Sequence, residues 1–310
     1  MTAIIPRVVV ITRETEYERL LATHATRGQA AFFLSSRGQS IDALEARHRR
    51  FGNVLDTLFG HLPSAWRRNR VDRTELDRFL FEPEDLVVAV GQDGLVANVA
   101  KYLSGQRVLG INPDQDWFDG VLVPFSTDNA LQQLIPAMHG DVATQSRVMV
   151  EVSLDTGQRL LALNELFLGH RSHQSARYWL DITTRQERQS SSGMIIATGT
   201  GATGWARSIN RSRKDALALP APEDRQLAYY VREAFPSNVT GTAISAGLLT
   251  DTSQLQVRSE MNEGGVIFGD GIETDYLEFN WGVQAEIRVA QQTLELVIPA
   301  ENPDQVHPRK

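Results

Sequence analysis

The sequence predicts an α/β domain built on a Rossmann-like parallel sheet, followed by a mostly β domain. Three observations carry this. Leu86-Val87-Val88-Ala89-Val90 is an apolar run without alternation, the pattern of a strand covered on both faces of a parallel sheet. A tight loop, a helical pattern and a second apolar run follow it, which makes a βαβ unit of right-handed sense. Beyond about residue 125 apolar and polar residues alternate, as in antiparallel strands with one buried face. The expected boundaries are 1–125 for the α/β domain and 126–290 for the β-rich domain, with 291–310 a strand and tail returning to the first.

Element by element, Val8 to Ile11 reads as a short buried strand. Ile41 to Leu62 carries Ile41, Leu44, Phe51, Val54, Leu55, Leu58, Phe59 and Leu62 at helical spacing, with Ser40 as N-cap. Thr74-Glu75-Leu76-Asp77 has the form of a capping box opening a short helix. Leu95, Val96, Val99 and Leu103 mark the helix of the βαβ unit, which Gly105 can end, and Val108 to Ile111 is the returning strand. Met149–Leu154 and Leu160–Leu163 flank Asp155-Thr156-Gly157, a hairpin turn. Leu227, Tyr230, Val231 and Phe235 stand at helical spacing after Pro220 and Pro222, which predicts one helix within the β-rich half. Leu277, Phe279 and Trp281, then Ala285, Ile287 and Val289, alternate with polar residues as half-buried strands do. The tail Glu301–Lys310 is polar and is expected to be loose.

Composition narrows the chemistry. A net charge of −7 argues against a general nucleic-acid binder, which needs a positive surface. Without cysteine, disulfides, thiolate nucleophiles, Cys-based zinc sites and iron–sulfur clusters are excluded. No apolar stretch approaches the roughly 18 residues of a membrane span, so the expectation is a soluble cytoplasmic protein without a membrane partner. His170 and His173 lack a third ligand at useful spacing and predict no metal site. Arg67, Arg68, Arg70 and Arg73 read as an exposed basic run, with Arg73 the one placed to meet a phosphate.

Three segments carry chemistry. Gly91-Gln92-Asp93-Gly94 joins a buried strand to a helix, where glycines let backbone approach a ligand and free helix N–H groups favour phosphate. An acid there repels phosphate, so it reads as a base for a hydroxyl or as a partner for Mg²⁺, unless the segment is merely an Asp-Gly turn. Asn164-Glu165, at a strand end, pairs an amide donor with a carboxylate acceptor and suits a ribose diol or an adenine edge. The run Ser191–Trp205 takes an apolar strand into Thr198-Gly199-Thr200-Gly201-Ala202-Thr203-Gly204-Trp205, a loop of small and hydroxyl residues with an aromatic face. It is neither a Walker loop nor the dinucleotide fingerprint of an opening βαβ unit.

In this order the segments resemble the NAD kinase family, which has a Gly-Gly-Asp-Gly loop, an Asn-Glu/Asp pair and a Thr/Gly-rich loop ending in an aromatic residue. Leu163-Asn164-Glu165-Leu166-Phe167-Leu168-Gly169 and Ser208-Ile209-Asn210-Arg211 look like the mitochondrial-type branch. Val108-Leu109-Gly110-Ile111-Asn112 and Val266–Gly271 resemble two further family segments, so the similarity runs from about Val8 to Ile298. The resemblance implies an NAD kinase-like fold and transfer of a phosphoryl group from ATP or another donor to the 2′-hydroxyl of the NAD adenosine ribose. It implies Asp93 as the catalytic acid–base residue. Gly91, Gly94, Asn112, Thr200, Gly201 and Thr203 would serve the phosphates. Asn164, Glu165, Gly204, Trp205 and Ser208 would hold NAD in a pocket between the domains. Mg²⁺ would arrive with the nucleotide, and the chain would form a homodimer or homotetramer.

The chain departs from the family at Gln92 (often Gly), Leu95 (often Thr), Ser192 (Asp in many bacterial members), Gly199 (Pro) and Trp205 (Tyr). Competing readings are a lipid or sugar kinase with an acid in a glycine loop, and an inactive NAD(P)-binding relative. Asp270-Gly271 reads as a hairpin turn rather than a catalytic acid.

Overall fold

Four strands run parallel in the first half of the chain: β1 (Arg7–Thr12), β2 (Arg67–Asp72), β3 (Leu86–Val90) and β4 (Arg107–Ile111), in the order β2-β1-β3-β4. The computed structural model describes residues 5–182 and 185–300. It divides into two units, Met1–Gln145 with Glu295–Lys310, and Ser146–Leu294. Among the described residues no helix is long and apolar enough to cross a membrane.

In the first unit β3 is buried at every position, as its unbroken apolar run requires. Helices α1 (Glu16–His24), α2 (Arg27–Ser35) and α3 (Ile41–His61) lie between β1 and β2 in sequence. The Ser40 side chain caps α3 by accepting from the Asp42 amide at 3.1 Å. Val54, Leu55 and Leu58 of α3 share a core with Val8 and Val10 of β1 and Val88 of β3. On β3 and β4 the connecting helix α4 (Asp93–Ala100) completes the βαβ unit, ending before Gly105 with Lys101 as C-cap. The unit extends past residue 125 because α5 (Thr127–His139) buries Ala130, Leu134 and Ala137 in that same core.

Two expectations shift here. The capping box near Thr74 sits earlier, with Asp72 as cap and Glu75 as reciprocal partner of a single 3₁₀ turn. Arg67, Arg68 and Arg70 of the basic run lie on an edge strand, β2, whose charged side chains guard an open sheet edge, and Arg73 opens the 3₁₀ turn after it.

The second unit packs two sheets face to face. One holds β8 (Ala176–Ile182), β9 (Arg185–Ser191), β13 (Leu255–Ser259) and most of β16 (Gln284–Val297), with β5 (Thr144–Leu154) and β6 (Arg159–Ala162) closing a hairpin over Asp155-Thr156-Gly157. The other is β12-β11-β10-β7-β14-β15, built from β7 (Glu165–His170), β10 (Met194–Ala197), β11 (Gln226–Val231), β12 (Ala246–Thr250), β14 (Gly265–Gly269) and β15 (Tyr276–Glu278). Val150, Leu168, Tyr178, Ile196, Tyr229, Val257 and Ile287 lie in the core between them. Helix α6 (Trp205–Arg211) covers the outer face of the second sheet, where Ala206 meets Ala197, Ala228 and Tyr230.

That cover corrects the helix expected at Leu227–Phe235, since Gln226–Val231 is strand β11, paired with β10 and β12. A strand buried on both faces has no alternation, and its apolar run then imitates helical spacing. At the far end of β16, Glu295 and Leu296 pair in parallel with Arg107 and Val108 of β4, inside the first unit. The polar tail lies outside the described residues.

Candidate active site

The first unit gathers its chemistry at the C-terminal ends of its parallel strands. There β1 releases Arg13, β3 releases Gly91-Gln92-Asp93, and β4 releases Asn112. Open α/β sheets place their ligand sites at this edge. Asp93 is the first residue of α4, where a carboxylate is favoured by the helix dipole. Its Oδ1 accepts from the Leu122 amide at 2.8 Å and its Oδ2 from the Val121 amide at 3.1 Å. An ionised carboxylate offers about four lone-pair sites, so each oxygen keeps one.

Gly110 explains how those amides reach the acid. A Cβ at this position would stand 2.1 Å from the Leu122 carbonyl oxygen, so only glycine lets the 121–123 segment close over β4. Asn112 is buried and holds the same loop, donating to the Phe118 carbonyl at 2.8 Å and accepting from the Asp114 amide at 3.0 Å. Gly91 is buried and Gly94 exposed.

In the second unit one edge of the antiparallel array β10-β7-β14 assembles the rest. Register pairs Glu165 with Ala197 and Leu166 with Gly269. The start of β7, the end of β10 and the end of β14 therefore meet at one edge, bringing together Asn164-Glu165, Thr198–Gly201 and Asp270. Thr198 is the hinge of this cluster. Its hydroxyl donates to the Leu163 carbonyl at 2.6 Å and accepts from the amides of Thr200 and Gly201 at 3.1 and 3.2 Å. Asp270, at φ 54°, accepts from the amides of Leu163 at 3.0 Å and Asn164 at 2.6 Å. The backbone there is a turn, as expected, but its carboxylate fixes the Asn164 backbone. The sequence places Thr198 in the Thr/Gly loop and Asp270 in a turn, but not these anchoring roles, because each holds backbone 34 or more residues away.

These contacts leave the side chains of Asn164 and Glu165 without a hydrogen-bond partner among the described residues. Burial, and secondarily the neighbouring Asp270 carboxylate, push Glu165 up to about 7. The folded chain thus holds a proton that the unfolded chain releases near 4.5. Stability from this group is complete below about pH 4.5 and falls by roughly 3 kcal/mol as pH rises to about 7. Urea melts of the parent and Glu165→Gln across this window should show that slope in the parent and its loss in the variant.

The hydroxyls of the Thr/Gly loop are less free than expected. Thr200 is buried with its hydroxyl 3.4 Å from Arg147, and Thr203 returns its hydroxyl to the Thr200 carbonyl at 3.1 Å. Ser208 and Gly204 are exposed. Trp205 is 41% exposed, parallel to Phe167 with ring centroids 6.4 Å apart, and has the Arg232 guanidinium 5.0 Å from its ring. Ser192 lies at the opposite end of β10 from Thr198 and belongs to a separate turn.

No protein-family model matches the chain. Human mitochondrial NAD kinase 2 is 24% identical over 370 aligned positions, covering 92% of this chain and 82% of the relative. The rat protein of the same name is 27% identical, covering 92% and 85%. An NAD kinase from Archaeoglobus fulgidus, solved in complex with ATP, has the same fold at a TM-score of 0.57 and 18% identity, covering 94% of this chain and 93% of its own. The chain is thus similar to NAD kinases along nine-tenths of its length, and it shares the fold of the solved one.

Proposed function

We propose that the protein transfers the terminal phosphoryl group of a Mg²⁺-bound donor, ATP in the first instance, to the 2′-hydroxyl of the adenosine ribose of NAD. The observation that supports it most is the Asp93 carboxylate, anchored by two backbone amides with a lone pair left on each oxygen. Asp93 takes the proton of the 2′-hydroxyl. The freed oxygen forms a bond to the terminal phosphorus, and the bond from that phosphorus to the β-phosphate oxygen breaks, releasing ADP and NADP. Phosphoryl transfer demands positioning and charge neutralisation more than covalent help. Gly91 and Gly94 bring backbone to the phosphates. Mg²⁺ would enter with the donor, as part of the substrate, and would supply charge neutralisation.

The uncommitted amide of Asn164 and carboxylate of Glu165 receive the ribose hydroxyls and base edge, and Trp205 offers an aromatic face. An ionised Glu165 accepts from both hydroxyls of a diol, so NAD affinity should rise as pH passes about 7, a rise that Glu165→Gln lacks. The activity is tested with NAD, ATP and Mg²⁺, reading NADP through an NADP-specific dehydrogenase. Calorimetric binding of NAD without NADP from any donor would leave an inactive relative. Assembly as a homodimer or homotetramer belongs to the same reading and is measured by light scattering.

A further inference from the structure

Beside the Asp93 loop the first unit holds a cavity of about 380 Å³, whose walls include Arg13, Tyr17, His48, Phe51, Gly91 and Phe118. Arg13 follows β1 directly and is half-buried. Its Nη2 donates to Gln92 Oε1 at 2.5 Å, and it forms no ion pair among the described residues. An amide oxygen orients a guanidinium without neutralising it, and a partly desolvated, unneutralised charge is costly.

The surroundings add to that charge. Burial, then Arg73 and Arg19, hold the Arg13 guanidinium below its ordinary range, and Glu16 is the carboxylate that opposes them. Arg47, on the same cavity wall, is by contrast matched by Asp114 at 3.5 Å. The site therefore presents a guanidinium with no ion pair among the described residues, opposed only at longer range by Glu16, next to a loop whose glycines admit a ligand to the backbone. An anion with several charged oxygens is the partner that satisfies it.

We propose that Arg13 anchors the phosphate chain of the donor and that Gln92 is a positioning residue that acts by holding Arg13 at the loop. The proposal rests on the reading that the Asp93 loop receives a phosphoryl donor. It gives Gln92, which stands where the family often has glycine, a specific task. A glycine there has no side-chain oxygen, and Arg13 would be free to swing away from Gly91.

The test is a calorimetric titration of inorganic tripolyphosphate into the protein without NAD. It compares the parent with Arg13→Met, Arg13→Lys, Gln92→Met and the double Met variant. Arg13→Met is expected to weaken binding about tenfold or more, as loss of charge-assisted hydrogen bonds does, and Arg13→Lys to recover part of it. Gln92→Met should weaken binding about threefold in the parent and add nothing once Arg13 is Met. In turnover the same factors should appear in KM for ATP, with KM for NAD unchanged. Parent-like tripolyphosphate binding by Arg13→Met overturns the proposal, as does a full Gln92→Met effect in the Arg13→Met background. If the variants lose tripolyphosphate as expected but the parent makes no NADP with any donor, the anion site stands and the kinase reading falls.

Discussion

Asp93→Asn is expected to lower kcat for NADP formation by about 10² to 10⁴, the range contributed by a positioned general base, while NAD still binds. The substitution has a second effect that must be separated from the first. Asp93 receives amides from both Leu122 and Val121, one on each oxygen. Asparagine keeps one acceptor and turns an NH₂ group toward the other donor, which opposes two hydrogens and loosens the 121–122 loop. Asp93→Glu keeps charge and acceptors but displaces them by one methylene. If the acid is a base, Asp93→Asn loses about 10² to 10⁴ of its rate at every pH, far more than its lowered melting accounts for, and Asp93→Glu retains a higher rate. If the acid only anchors the loop, both variants melt lower and lose activity in proportion. Rate, NAD affinity by calorimetry and thermal midpoint together decide between these.

Gly201→Ala should be strongly damaging to the Asn164-Glu165 edge of the second unit. Its Cβ would stand 2.1 Å from the carbonyl oxygen of Asn164 and 2.6 Å from the carbonyl carbon, both backbone atoms without a rotamer to yield. Relief requires the Thr198–Gly201 loop to leave Asn164, which breaks the hydroxyl contacts of Thr198 with the Leu163 carbonyl and the Thr200 and Gly201 amides. Overpacking of this kind costs about 3 kcal/mol. NAD affinity should fall more than about tenfold, since Asn164 and Glu165 ride on the displaced backbone. Gly204→Ala is the control, because its Cβ would meet nothing closer than 3.6 Å and stability should change by only about 0.5 kcal/mol. Equal stability losses in the two variants would remove the steric account.

The parts of the fold legible in sequence were those set by local pattern. Leu86–Val90 with its loop and helix, the Ser40-capped helix and the Asp155–Gly157 hairpin each follow from a period, a cap or a turn residue. Strand β11 was misread because burial on both faces erased its alternation. Strand β2 went unread because an edge strand made of arginines has no apolar pattern to read. In the site, Asp93, Asn164 and Glu165 stood out as polar residues at strand ends. The anchoring roles of Thr198, Asp270, Val121 and Leu122 did not, since they are made by contacts to backbone distant in sequence.

The pairing of Glu295 and Leu296 with β4 makes the second unit an insertion within the first. During synthesis the β-rich unit can therefore reach its final form while the α/β unit is still missing its outermost strand. Until residues 295–297 leave the ribosome, β4 presents an open sheet edge on the element that delivers Asn112 and supports the Asp93 loop. A chain interrupted just before this point would carry nearly every residue assigned to chemistry and still lack the strand that covers the free edge of β4.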